Sequence, residues 1–194
     1  MRHSRAEKAA THQRIVRIAA RRFRERGFAG IGVADIMEEA GLTVGGFYKH
    51  FASREDLVVE ALAAAFGDLE GWDDAARTSL RDAIARYLSP AHRDDRCGSC
   101  PLTALLNDVP RHVPDRASDV YTGQIERMFA FFERLLPEEV RARRRARARL
   151  IFSACVGALA LSRAVDDPAL SREILDTVAA QLTEAFAGTA TATA

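Results

Sequence analysis

The chain has 194 residues and a mass near 21 kDa, enough for one or two small domains with a real core. Its 28 Lys/Arg against 27 Asp/Glu exclude a uniformly basic, histone-like protein, and 48% hydrophobic with 28% charged residues is a globular balance rather than a disordered one. Apolar runs such as 61–66 and 154–161 fall far short of the about 18 residues that span a bilayer; no apolar stretch follows Arg2, His3, Arg5 and Lys8 as a secretory signal requires; and three cysteines, an odd number, cannot complete a disulfide framework. The expectation is a soluble protein of the reducing cytoplasm with no membrane association.

The even totals hide an asymmetry. Residues 1–56 carry 11 Lys/Arg against 7 Asp/Glu, and residues 1–30 carry 9 against 2. A basic head on a mildly acidic body suits a head that meets a polyanion. Nearly every segment has helical periodicity. A first helix is predicted over residues 9–26, with Ile15, Ile18, Ala19 and Phe23 on one stripe. Gly27 ends it and Phe28 supplies the apolar contact that often follows such a stop. A short helix follows over 33–40, closed by Gly41. Thr43 is placed to cap another over 44–51. Ser53 caps a longer helix whose first turn holds Glu55 and Asp56, as the helix dipole favours.

Beyond residue 70 the sequence predicts helices over 73–88, 101–109, 115–136, 137–165 and from Pro168 onward. The stretch 89–99 reads as loop, and Pro110 and Pro114 read as breaks. Residues 188–194 read as a disordered tail. The fold class is all-α, with about nine helices. Residues 1–56 are expected to form a three-helix head and 57–187 a helical bundle.

The two short helices joined by Gly41-Leu42-Thr43 have the layout of a helix-turn-helix. Ile36, Ala40 and Leu42 pack inward, and Phe47 and Phe51 form the inner face of the second helix. Val44, Gly45, Gly46, Tyr48 and Lys49 lie on the other side. Each glycine in an exposed helix costs about 1 kcal/mol relative to alanine, a cost that close approach to DNA would explain.

Residues 11–57 resemble the N-terminal domain of the TetR/AcrR family of bacterial transcription regulators. The resemblance rests on Phe23, Gly27, Ile36, Ala40, Gly41, Leu42, Gly45, Phe47, Tyr48, His50, Phe51, Ser53, Arg54, Glu55, Asp56 and Leu57. It implies a homodimeric, usually repressing protein that binds double-stranded operator DNA and is released by a small-molecule effector. By position, Tyr48, His50 and Arg54 correspond to phosphate-backbone contacts. Val33, Ala34, Val44, Gly45, Gly46 and Lys49 correspond to groove-facing positions, with Thr43 at the start of that helix. Met37 stands where the family usually has a small residue. On the residues alone, His50 packed against the next helix and Arg54 paired with Asp56 remain open.

In the body, Phe66, Trp72, Leu102, Leu105, Leu106, Tyr121, Ile125, Met128, Phe129 and Phe132 are core by default, and the resemblance implies that they line a ligand cavity. Ala154, Gly157, Ala158 and Leu161, with Ile174, Val178 and Leu182 on the last helix, are the expected dimer seam. Cys97 and Cys100 form a CxxC that could act as a thiol sensor, or as the centre of a thiol redox protein. A zinc site from His92, Cys97, Cys100 and His112 matches no common spacing, so neither metal nor cofactor is expected. Cys155 reads as core, and the arginine-rich run 141–149 as a solvated face paired with Glu138 and Glu139. There is no nucleophile–base arrangement, so no enzyme is expected. A sequence-independent architectural DNA binder is the other rival.

Overall fold

The computed structural model describes residues 5–67, 79–95, 98, 100–112, 115–137 and 141–187, and among these every regular element is a helix. The chain divides into two compact units, residues 1–70 with 100–123, and residues 71–99 with 124–194.

The first unit opens with α1 (Arg5–Arg26), α2 (Val33–Glu39), a 3-10 helix (Val44–Lys49) and α3 (Arg54–Gly67). Local chemistry sets each end. Gly27 has φ +73°, and the ring of Phe28 meets Phe23 edge-on at 5.1 Å. The positive φ calls for glycine, and a β-carbon at Gly27 would also stand 2.9 Å from the Asp108 carboxylate, which would have to turn aside. After α2, Gly41 (φ +69°) donates to Glu38 and Leu42 donates to Met37, the paired bonds of a Schellman stop. At the start of α3 the Asp56 amide donates to Ser53 Oγ at 3.1 Å, the cap expected from sequence. Ile15, Ala19 and Phe23 of α1, Ile36 and Met37 of α2, and Leu57, Val58, Ala61 and Leu62 of α3 are buried. With six buried residues, α3 packs along α1 and belongs to the same unit as the head. The units therefore do not follow a single cut at residue 56.

The return segment of this unit holds α6 (Pro101–Ala104), α7 (Val109–His112) and the start of α8 (Asp115–Leu135). Where the sequence predicts one helix over 101–109, a turn separates two short ones. Pro110 does not break the chain: it lies in the first turn of α7, where no backbone N–H is needed.

The second unit contains α4 (Leu80–Tyr87), α5 (Pro90–Asp94), the rest of α8, α9 (Arg141–Ala164) and α10 (Pro168–Phe186). The 89–99 stretch was expected as loop, but Ser89 accepts a bond from the His92 amide and Pro90 takes the first helical position, so α5 forms there. Arg163 of α9 then ties α5 down, donating to the carbonyls of His92 at 2.7 Å and Arg93 at 3.0 Å. The core of this unit is Ile84, Tyr87, Phe132, Phe152, Cys155, Leu159 and Leu175. Burial pushes the Cys155 thiol up to about 12, so it stays neutral and inert as a core residue. The expected partners Glu138 and Glu139 of the arginine run, and the tail 188–194, lie outside the described residues. Within the run, Arg144 approaches Glu133 at 3.8 Å and Arg147 lies over the Phe186 ring at 5.7 Å.

Candidate nucleic-acid interface

The second helix of the helix-turn-helix is a 3-10 helix, not the α-helix predicted over 44–51. Its bonds run from Gly46 N–H to Thr43 and from His50 N–H to Phe47, both 2.9 Å. Thr43 makes no side-chain cap bond, so the predicted cap is replaced by the backbone turn itself. Two consecutive glycines weaken the longer α-helical pattern, and the tighter turn suits a short piece.

The two faces of this helix are sharply different. Phe47 and Phe51 are buried and stack with centroids 5.3 Å apart. His12 of α1 stacks on Phe51 at 4.5 Å, and its Nε2 meets Glu60 Oε2 of α3 at 2.5 Å, which fastens the helix to both neighbours. On the outer face Tyr48 is 74% and Val44 50% exposed, and Thr43, Gly45 and Lys49 are open to solvent. A β-carbon at Gly45 would meet nothing within 4 Å. Gly46 is different: a β-carbon there would stand 3.6 Å from Met37 Cε, and Met37 is wholly buried beneath the helix. Of the α2 positions, Ala34 is exposed and Val33 half-buried.

A groove of about 650 Å³ runs between the first turns of α1 and this outer face, lined by Glu7, Lys8, Thr11, Leu42, Tyr48, Lys49 and His50 among others. Lys8 and Thr11 join the site: they stand seven and four positions before Ile15, on the N-terminal continuation of the same α1 stripe, where the sequence turns from apolar to polar. His50 is half-buried, with Nδ1 shielded and accepting or donating no hydrogen bond among the described residues. Burial first, and then the positive neighbours His12, Lys8 and Lys49, hold its ring below the usual histidine range.

Arg54 differs from expectation. Its guanidinium turns inward, donating to the Phe28 carbonyl and, at 3.4 Å, to that of Ile31, and lies 5.8 Å over the Phe23 ring. It ties α3 to the α1–α2 loop and does not pair with Asp56, which binds Arg116 at 3.1 Å instead. Arg21 and Arg22, counted in the basic head, both reach Glu39, with Arg22 at 2.6 Å. The Arg22 guanidinium holds Glu39 below the usual carboxylate range. The positive charge left open beside the groove is therefore narrower than the composition suggests.

The body residues singled out in the sequence divide between the units. In the first, Phe66, Leu102, Leu105 and Tyr121 are buried and Leu106 is exposed. The Tyr121 hydroxyl donates to the Leu102 carbonyl, and burial raises its pKa well above the usual range. In the second, Met128 and Phe132 are buried while Ile125 and Phe129 are half-buried. Trp72 and Cys97 lie outside the described residues, and of His112 only the backbone is described. Cys100 is 3% exposed just before α6. The His92 ring is taken by the Tyr87 carbonyl at 2.7 Å, and no group of three metal-binding side chains occurs among the described residues. No described helix is long and apolar enough to cross a membrane. Of the seam residues, Ala158 and Leu182 are buried within the chain itself, where α9 packs on α10. Ala154, Gly157, Ile174 and Val178 are half-buried and Leu161 is exposed.

Residues 15–61 match the family model described as bacterial regulatory proteins, tetR family. Over 79 residues the chain is 34% identical to the HTH-type transcriptional repressor KstR2 of Mycobacterium tuberculosis, covering 41% of this chain and 36% of that one. A KstR2 from Rhodococcus jostii is 39% identical over 64 residues, 33% of this chain and 31% of that one. The matches thus span about a third of these relatives' length. Solved structures extend the likeness in fold to nearly the whole chain. A TetR-family regulator from Cytophaga hutchinsonii superimposes with a TM-score of 0.77 at 18% identity, covering 96% of this chain and 100% of that one. A TetR regulator from Chloroflexus aurantiacus gives 0.74 at 23%, covering 93% and 98%. The family model and the named relatives thus agree on the N-terminal helices, where residues 15–61 match the tetR family of bacterial regulatory proteins, and the rest of the chain shares the helical fold of the solved TetR regulators.

Proposed function

We propose that the chain is a transcriptional repressor that binds a specific DNA sequence as a homodimer and leaves it when an uncharged, apolar, aromatic-sized effector binds the body. The observation that carries this reading is the two-faced 3-10 helix. A sealed aromatic underside fixes it rigidly, while Tyr48, Lys49 and the open backbone at Gly45 stand outward. Tyr48 and His50 take phosphate oxygens, Lys49 reads a base edge, and Lys8 and Thr11 flank the groove. Arg54 is a positioning residue. A single head covers only a few base pairs, so two heads on two half-sites are needed for specificity. The curated relatives named as repressors support that direction of control.

An effector can release DNA only by binding the non-binding state better, and a coupling of about 1–3 kcal/mol lowers affinity some 5- to 150-fold. The buried face of α8 within the second unit is the surface this reading assigns to it, because Met128 and Phe132 put no charge there. A thiol trigger fits less well, since Cys100 is buried and oxidation needs an exposed thiolate.

The test is selection of duplexes from a random library, followed by titration on the selected site and on scrambled DNA at fixed salt. A palindromic site bound about 1,000-fold or more above scrambled DNA is expected. Equal affinity for both would make the chain an architectural binder and end this reading.

A further inference from the structure

Gln124 is the least explained buried group in the body. It lies in α8, 5% exposed, one turn before Met128 and two turns before Phe132, both of which are buried. Its Oε1 is shielded from solvent and accepts no hydrogen bond among the described residues. Two other polar side chains buried in the same unit, Ser162 and Ser171, are satisfied. Ser162 donates to the Leu159 carbonyl at 2.9 Å, and Ser171 to the Ser162 carbonyl at 2.6 Å. One turn earlier on the same helix the Tyr121 hydroxyl is committed to the Leu102 carbonyl. An unfilled amide oxygen on an otherwise apolar face is costly, and a leucine or methionine there would remove the cost. Binding sites for small molecules have this composition: mostly apolar, with very few polar atoms that fix orientation.

We infer that Gln124 is the polar anchor of the effector site, and that the effector is an uncharged apolar molecule carrying one hydrogen-bond donor, such as a phenolic hydroxyl. The donor gives its hydrogen to Gln124 Oε1, while the apolar body lies along the α8 face. The inference rests on the effector-released reading above. It narrows the ligand class, because an amide oxygen discriminates against a molecule that only accepts, and the α8 residues buried beside it, Met128 and Phe132, offer no cation to a carboxylate.

Calorimetry on the full chain tests it with two matched pairs, 2-naphthol with 2-methoxynaphthalene and 4-ethylphenol with 4-ethylanisole. Wild type should prefer each phenol over its methyl ether by about 5- to 10-fold, the worth of one hydrogen bond. Gln124→Leu should bind phenol and ether alike, with the ether bound as well as by wild type, and should unfold at the same or a higher temperature. Gln124→Met is the second variant should leucine fail to pack. Equal binding of phenol and ether by wild type, or an unchanged preference in both variants, overturns the role of Gln124 and leaves the effector reading intact. A fall in melting temperature with the preference unchanged assigns the amide to an internal water and also overturns it. If wild type binds its selected DNA but none of the four compounds, the effector reading falls and this inference with it.

Discussion

At the scale of single residues, the proposed interface separates exposed groups assigned to DNA from groups that hold the 3-10 helix in place. Tyr48 is exposed and its hydroxyl is uncommitted among the described residues, so Tyr48→Phe should weaken binding to every sequence alike. Lys49→Ala should instead relax preference at one base position, by about 1–3 kcal/mol for a good base contact. Titration on the selected site and its point variants separates the two, and uniform loss for Lys49→Ala would remove its reader role. Arg54→Ala should act on folding: it strips donors from two loop carbonyls and should cost about 1–3 kcal/mol. Lysine should not restore it, because one ammonium cannot reproduce the fork over Phe23. A variant with unchanged melting temperature and weaker DNA binding would return Arg54 to the phosphates.

His50 adds a pH dependence. In the free protein burial and the charges of Lys8, Lys49 and His12 keep it below 6.5, so protonation below that pH works against the free fold, and stability falls as pH falls through its depressed value. A phosphate beside it supplies the opposite charge and raises its pKa in the complex. On the proposed reading the complex then binds a proton that the free protein does not, so affinity should rise as pH falls toward and through the ordinary histidine range at constant salt. Glu7, Glu60 and His12 also face this region, and His12 is already engaged by Glu60. His50→Gln should flatten the profile while His12→Gln leaves most of it. A slope that survives His50→Gln would place the proton elsewhere.

At the scale of elements, the two glycines of the reader do different things. Gly45 faces open space, so Gly45→Ala should leave the melting temperature unchanged or slightly higher, and on the proposed reading it should still weaken DNA binding, because the methyl group would stand between the backbone and DNA. Gly46 lies over Met37, and alanine there makes an ordinary contact at 3.6 Å, so Gly46→Ala should fold. A Gly45→Ala protein with full affinity would show that this backbone does not approach DNA. The turn, the glycine stops and the caps of the head were legible in the sequence because they depend on chemistry a few residues apart: Gly27, Gly41 and Ser53 act within one helical turn. The 3-10 form of this helix was not legible, since the side-chain cap expected at Thr43 gives way to a backbone turn in which Gly46 donates to the Thr43 carbonyl. Nor was the inward Arg54, whose partners lie 23 and 26 positions away. Lys8, Thr11 and Gln124 were missed because a polar residue on a helix carries no periodic signal of its own.

At the scale of the whole molecule, the stripe predicted for dimerisation splits into residues the chain uses itself and residues it leaves open. Ala158 and Leu182 are consumed where α9 packs on α10. Leu150 and Leu161, 56% and 60% exposed, stand with Ala154 and Gly157 at spacings of four, seven and eleven along α9, and Leu170 and Ile174 continue the pattern on α10. Large apolar side chains aligned in this way form a face that a second copy would cover. Gly157 is the informative position, because a β-carbon there meets nothing within 4 Å in the protomer. Gly157→Glu should therefore leave the fold of one chain intact, and circular dichroism should show unchanged helix content. In a dimer the same carboxylate would be buried without a partner, at a cost of several kcal/mol, enough to dissociate the pair at micromolar concentration. Sedimentation should then report a monomer. Affinity for a full palindrome should fall to that of a half-site, because the second head no longer arrives with the first. Leu161→Glu should do the same from the next turn. A Gly157→Glu protein that sediments as a dimer with full palindrome affinity would move the seam off this face.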